Sequence, residues 1–290
     1  MNKTTKNILR KLIWIARLAG RRNLYRTSQL LMRAARGDVK NKYKYNGEKM
    51  VQTVALRASV PPATILDVGA NVGDWTAGLL EIAGKLHRTA HVHVFEPCKG
   101  TFSRLSERYA NSPDVTLVNQ ACSGSAGTAA MYVYGSGDGT NSLAEPIDDR
   151  VAAREEVQLT TIDLYCKAAG IEKIDLLKID AEGYDFEVIS GASEMLNGSA
   201  IRFIQFEYNH RWIGAHRFLK DVFSFLIPKG YAIGKLTGSR VEFYPFWKWE
   251  LETWDEGNYI VCSRQDMSQF DRSEPSWLLF ERNSQPGPAA

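Results

Sequence analysis

Ile65-Leu-Asp-Val-Gly-Ala-Asn-Val-Gly-Asp74 decides how this 290-residue chain folds. Ile65, Leu66 and Val68 suit a buried strand, while Gly69, Asn71 and Gly73 suit a turn that lets a ligand reach the backbone. Asp74 suits the start of the helix that follows. A strand that breaks into such a turn aims N–H groups and a helix N-terminus at one point. Placed first in an alternating β/α chain, the unit is a nucleotide-type site of a doubly wound sheet.

The spacing separates two ligands. Dinucleotide sites use G-x-G-x-x-G so that a pyrophosphate can approach the turn. Here the pattern is Asp67-x-Gly69-x-Asn71-x-Gly73, with an acid at the strand end. That acid repels a pyrophosphate but suits an ammonium, such as the one on the methionine end of S-adenosylmethionine. The ribose of that ligand needs an acceptor at the end of the next strand. Glu96, in His91-Val-His-Val-Phe-Glu-Pro97, stands 23 residues past Gly73, close to the roughly 20 expected of a ribose-binding acid.

The chain is 44% hydrophobic, enough for one large α/β core. Its net charge of +3 conceals a division. Residues 1–45 hold thirteen Lys and Arg against one acid, Asp38, leaving twenty-three basic and thirty-two acidic residues beyond them. Three regions follow: a basic amphipathic arm over 1–45, a catalytic domain over 46–265 and a tail over 266–290. In the arm, Ile8, Leu12, Ile15 and Ala19 share one helical face, with Lys6, Arg10, Arg17 and Arg21 opposite. Such a helix suits an anionic membrane surface, or packing on the domain. The apolar run Leu12 to Ala16 is too short to span a bilayer or serve as a secretory signal.

Four scattered cysteines without a C-x-x-C pair fit reduced core thiols in a cytoplasmic protein. His91 and His93 have ligand spacing, but without further ligands nearby no metal site is expected.

Strand and helix signals then alternate: a strand to Glu96, a helix over 99–111, and a third strand over 115–122. An added hairpin strand over 127–135 precedes a Gly/Ser/Asn-rich loop and a short strand over 157–162. The apolar strand Ile174-Asp-Leu-Leu-Lys-Ile-Asp180 leads to a helix over 182–196, then come a strand over 201–207 and a helix over 215–228. Tyr231–Leu236 and Asn258–Cys262 close the sheet as an antiparallel pair. The fold class is therefore α/β, a doubly wound, mostly parallel sheet ending in an antiparallel hairpin. Right-handed crossovers place Asp67, Glu96, Cys122, Asp180 and Glu207 on one rim.

Asp67-Val-Gly-Ala-Asn-Val-Gly73, Phe95-Glu-Pro97, Asn141-Ser-Leu143 and Lys178-Ile-Asp-Ala-Glu-Gly183 resemble the signature of the FkbM-type methyltransferases. The likeness covers about 65–209, more loosely to 259. It implies a class I, Rossmann-like methyltransferase using S-adenosylmethionine, in a family that mostly methylates hydroxyls of sugars or polyketides. Ala181 stands where the family commonly has Val, and Asp185 is shorter than its usual Glu.

Methyl transfer from a sulfonium needs a positioned nucleophile and, for an alcohol, a base. Asp180 is the candidate base, or else a binding group for the cofactor's ammonium. Lys178, buried mid-strand, has to pair with a carboxylate and so sets its pKa. Glu182 suits the helix dipole, and the family motif adds a site role. His210 is the alternative base. Asp67, Gly69, Asn71, Gly73, Glu96, Cys122 and Asp180 are the expected cofactor contacts, with Asn141, Ser142 and Glu207 facing the acceptor. The aromatic run Phe243–Trp254 suits a sugar-stacking wall, an oligomer interface or folded-back core.

The sequence thus reads as an O-methyltransferase acting on a hydroxyl of a sugar in a glycan or glycolipid. A scaffold without catalysis and an NAD-dependent oxidoreductase are the alternatives. Nucleic acid is disfavoured as acceptor because the domain is acidic.

Overall fold

The computed structural model describes residues 6–7, 10, 13–14, 20–39, 42–134, 141–146 and 153–278. Two compact units divide the chain: Lys40–Glu274, and Met1–Val39 together with Pro275–Ala290. The large unit is wider than the expected 46–265. At one end the ring of Tyr43 packs on the core and its hydroxyl donates to Gln52 Oε1 at 2.5 Å. At the other, Arg272–Ser273 adds a strand to the sheet.

In the small unit one helix, α1 (Arg21–Ala35), is fully described. The large unit begins with α2 (Glu48–Ala58), followed by β1 (Ala63–Val68), α3 (Asp74–Lys85), β2 (Ala90–Phe95), α4 (Lys99–Tyr109) and β3 (Val115–Val118). Then come β4 (Ala121–Cys122), β5 (Gly127–Val133), β6 (Ala153–Thr160), α5 (Ile162–Ala169) and β7 (Ile174–Ile179). The remainder is α6 (Asp185–Ser190), α7 (Ser193–Asn197), β8 (Ile201–Tyr208), α8 (Leu219–Leu226), β9 (Tyr231–Leu236), β10 (Val241–Tyr244), β11 (Gly257–Ser263) and β12 (Arg272–Ser273).

Nine strands form the main sheet in the order β12-β10-β9-β11-β8-β7-β1-β2-β3. The five from β3 to β8 run parallel, while β11 inserts antiparallel between β8 and β9. The closing pair is therefore present, with β11 innermost. Strands buried on both faces read as near-continuous apolar runs. Ile65, Leu66, Leu176, Leu177, Phe203 and Ile204 have no exposed surface, and Lys178 interrupts that core.

Two expectations change. The third strand does not continue to Cys122: it stops at Val118, and β4 joins a separate small sheet, β4-β6-β5. Between them the Asn119 amide donates to the carbonyls of Glu96 (2.8 Å) and Pro97 (3.1 Å), turning the chain out of the main sheet. The helix expected over 182–196 is two short helices meeting at Gly191. A Cβ there would stand 2.1 Å from the carbonyl oxygen of Ser123, so the backbone approach requires glycine.

Candidate active site

A cleft opens at the carboxyl ends of β1, β2 and β7. Its floor is the turn after β1. Gly69 takes φ +73°, and a Cβ on it would lie 1.9 Å from the Asp180 carbonyl oxygen. Only glycine fits there. The Gly69 and Ala70 N–H groups donate to Phe95 O at 3.1 and 3.0 Å, folding the turn toward β2.

Glu96 lies just past β2 in the cleft wall, 5% exposed. The Asn71 N–H donates to its Oε2 at 3.0 Å and the Cys98 N–H to its Oε1 at 2.9 Å. Burial pushes its carboxyl up to about 7, against those two N–H donors. Each oxygen keeps a second acceptor direction. Gly69, Asn71 and Cys122 also line the cleft, and burial raises the Cys122 thiol.

Asn141 and Ser142 line it from the other side. The Tyr134 N–H donates to Asn141 Oδ1 at 2.9 Å, while Ser142 exchanges backbone hydrogen bonds with Tyr132 and donates from Oγ to Glu182 O at 2.7 Å. These two positions are tied down. Glycines 135, 137 and 139 of the Gly/Ser/Asn-rich loop lie outside the described residues.

Asp180, Ala181 and Glu182 form the opposing wall. The Asp180 side chain is 36% exposed, with Lys178 Nζ 3.7 Å from Oδ2. Burial pushes the Asp180 carboxyl upward, Lys178 pulls against it, and Asp67 and Glu256 add to the push. Glu182 is held by an ion pair with Arg211. Burial and then Asp180 push the Glu182 carboxyl up, with Arg211 opposing. Glu182 has φ +52° and precedes α6, so the helix-dipole explanation fails for it; Asp185 occupies the first turn instead. The Asp185 carboxylate accepts from Gly183 N–H and Glu207 N–H. Burial, then Asp180, push it up to about 7.

Lys178 is 3% exposed and donates to Gly69 O at 3.1 Å, with Asp67 Oδ1 also at 3.1 Å. Burial alone would lower its pKa, but Asp67, Asp180 and Glu48 outweigh it and hold it charged. It is therefore no proton acceptor and acts by positioning.

Four expected site residues lie outside the cleft lining. Asp67 is fully buried and bound to Lys178 and to Thr76 Oγ1 (2.6 Å), so it faces the core and not the cleft. Gly73 packs against Tyr109 and Leu105, its carbonyl accepting from the Tyr109 hydroxyl at 2.7 Å. His210 is exposed in the 3-10 turn His210–Ile213, outside the cleft lining. Glu207 is 8% exposed and also outside the lining, accepting from Asn209 Nδ2 at 2.7 Å. Burial, then Asp180, Glu256 and Glu182, raise its pKa.

Three residues were missed. Arg211 reaches Glu182 from the turn after β8, Glu48 acts on Lys178 from α2, and Glu256 acts on Asp180 from just before β11. No spacing rule links such distant positions. The H-x-H histidines bond neighbours: His91 with Thr116 and His93 with Tyr165, each at 2.8 Å. In the aromatic run, Trp254 packs on Tyr208 and Phe218, Trp247 donates to Glu252, and Trp249 is 73% exposed.

Residues 67–233 match the model of the methyltransferase FkbM domain. The 2-O-methyltransferase NoeI of Sinorhizobium fredii is 28% identical over 162 residues, which cover 51% of this chain and 64% of that protein. The hexuronic acid methyltransferase AglP of Haloferax volcanii is 25% identical over 153 residues, 52% of this chain and 58% of that one. The chain thus spans less than two thirds of the length of the curated relatives it matches. A solved FkbM methyltransferase from Methylobacillus flagellatus KT shares 17% identity at a TM-score of 0.43, over 72% of this chain and 47% of that one. With the family model spanning more than half of its length, the chain belongs to the FkbM-domain methyltransferase family.

Proposed function

We propose that the protein transfers a methyl group from S-adenosylmethionine to a hydroxyl oxygen of a sugar, in a glycan or glycolipid. One observation carries this reading: the cleft sets a backbone-bound carboxylate, Glu96, opposite a half-exposed one, Asp180.

The donor set fits the cofactor. Glu96 has acceptor directions free for the two ribose hydroxyls, and the Gly69 turn keeps the floor clear of side chains. Cys122 and Ala121 offer small surfaces for a flat ring. When bound, the cofactor supplies a methyl group already activated on a sulfonium. The protein then has to hold an alcohol in line and take its proton. Asp180 is the acceptor of that proton. Lys178 pulls Asp180 toward its ionised form, against the push of burial, while staying charged itself, and Arg211 fixes the adjoining Glu182. The sugar class rests on the relatives, a 2-O-methyltransferase and a hexuronic acid methyltransferase.

Titration calorimetry with S-adenosylhomocysteine, with NAD as control, tests the cofactor. Micromolar binding of the first alone is expected. Binding of NAD alone, or of neither, would overturn the reading; in the second case a non-catalytic scaffold replaces it. Transfer of labelled methyl to neutral and acidic sugars then tests the acceptor.

A further inference from the structure

We propose that α1 docks the protein on an anionic membrane surface, lying in the plane of the headgroups. The helix Arg21–Ala35 contains no acidic residue and buries none of its side chains. Arg22, Arg26 and Arg33 fall on one side at helical spacing, and Leu24, Tyr25, Leu31 and Met32 on the other. Tyr25 is 62% exposed, Leu31 67% and Met32 53%. Leu30 alone among the large apolar residues departs from the pattern.

An apolar stripe left in water beside a stripe of arginines is the composition of a helix that rests in a bilayer interface. The apolar side enters the acyl boundary while the guanidinium groups meet lipid phosphates, and Arg21 can extend along its own stem to reach them. Trp14, 65% exposed and helical, with Lys6 and Arg10 also exposed, continues the same composition. Trp and Tyr favour the headgroup level, where a ring has one apolar and one wet side. Among the described residues no helix is long and apolar enough to cross a membrane, which leaves the surface.

Charge selects the occupant. Beyond residue 45 the chain holds thirty-two acids against twenty-three bases, so that region is repelled by anionic lipid and the arm has to supply the attraction. A helix-to-helix pair of two copies would set one acid-free helix against another, with no countercharge between them. A nucleic acid would satisfy the arginines but leave Tyr25, Leu31 and Met32 in water.

Flotation of the full chain with vesicles tests this, using phosphatidylcholine alone and an equal mixture with phosphatidylglycerol. Partition to the mixed vesicles should exceed that to the neutral ones about 100-fold or more and fall with added salt. The double change Arg22→Glu/Arg26→Glu should lower it about 30-fold or more, at roughly fivefold per basic residue. The double change Leu31→Ser/Met32→Ser should lower it about fivefold or more, through lost apolar burial. Unchanged thermal unfolding shows that both variants fold. Absent binding, equal binding to neutral vesicles or an indifferent Arg22→Glu/Arg26→Glu variant would overturn the proposal. So would retention of a short RNA duplex without vesicle binding, or a dimer dissolved by Leu31→Ser/Met32→Ser.

Discussion

The two walls of the cleft hold their carboxylates in opposite ways. On the β2 side, Glu96 is fixed by two backbone N–H groups, and Lys178 acts on it only through its charge, without a hydrogen bond. On the β7 side, Asp180 and Glu182 crowd one another, with Lys178 and Arg211 set among them. Backbone donors hold an acceptor still without changing with pH. Crowded acids balanced by cations are poised to take a proton. In the proposed reaction the first wall binds and the second reacts.

The strongest way to break this contrast is Asp180→Asn. It should lower kcat by roughly 10²–10⁴-fold while leaving S-adenosylhomocysteine affinity within about threefold. Equal losses in both, measured by labelled methyl transfer and calorimetry, would make Asp180 a binding group.

Lys178→Met comes next. It leaves Asp67 buried without its cation, a loss of about 3–5 kcal/mol in urea unfolding. In whatever fraction folds, Asp180 should titrate higher, moving the acid limb of the kcat profile to higher pH. An unmoved limb would separate Lys178 from the chemistry.

Glu96→Ala should weaken S-adenosylhomocysteine about 100-fold, from two charge-assisted bonds of ~1.5 kcal/mol each, with little change in kcat at saturation. Titration sharpens the point. Glu96 in the folded protein titrates near 7, above the ordinary 4.5, so its contribution to stability is full below pH 4.5 and lost as pH rises through 7. The stability of the cofactor-free protein relative to Glu96→Gln should therefore fall from pH 4.5 to 8, by up to about 3 kcal/mol. A flat difference would mean that Glu96 is already ionised.

Ser142→Ala is the mildest change. It removes the hydrogen bond donated to Glu182 O and the one accepted from the Ala144 N–H, and should cost about 2 kcal/mol in stability, with a modest rise in KM for the acceptor.

What the sequence disclosed was local. The Gly69 turn and the Glu96 spacing follow from strand, turn and period, and the structure brings both to one cleft. Asp67 was expected at the strand end to meet an ammonium, but position in a strand does not say which cation a side chain meets. Lys178, one strand away at the same register, draws it inward. The helix start expected at Glu182 moves to Asp185, because Gly183, at φ +97° and pressed against Arg211, delays it. Arg211, Glu48 and Glu256 were invisible for want of any period connecting them to the motif. The amphipathic arm was placed on Ile8, Leu12, Ile15 and Ala19, of which none lies among the described residues; the described amphipathic helix is α1.

The Lys178 ammonium touches the carbonyl of Gly69 in the cofactor turn and stands beside Asp180 in the reacting wall. One buried charge therefore reports to both places. Any ligand that tightens the turn also alters the proton affinity of Asp180, and by reciprocity the protonation of Asp180 alters the grip on that ligand. Binding and proton uptake become one equilibrium. Its signature is a calorimetric heat that changes with the ionisation enthalpy of the buffer, and that loses the dependence in Lys178→Met.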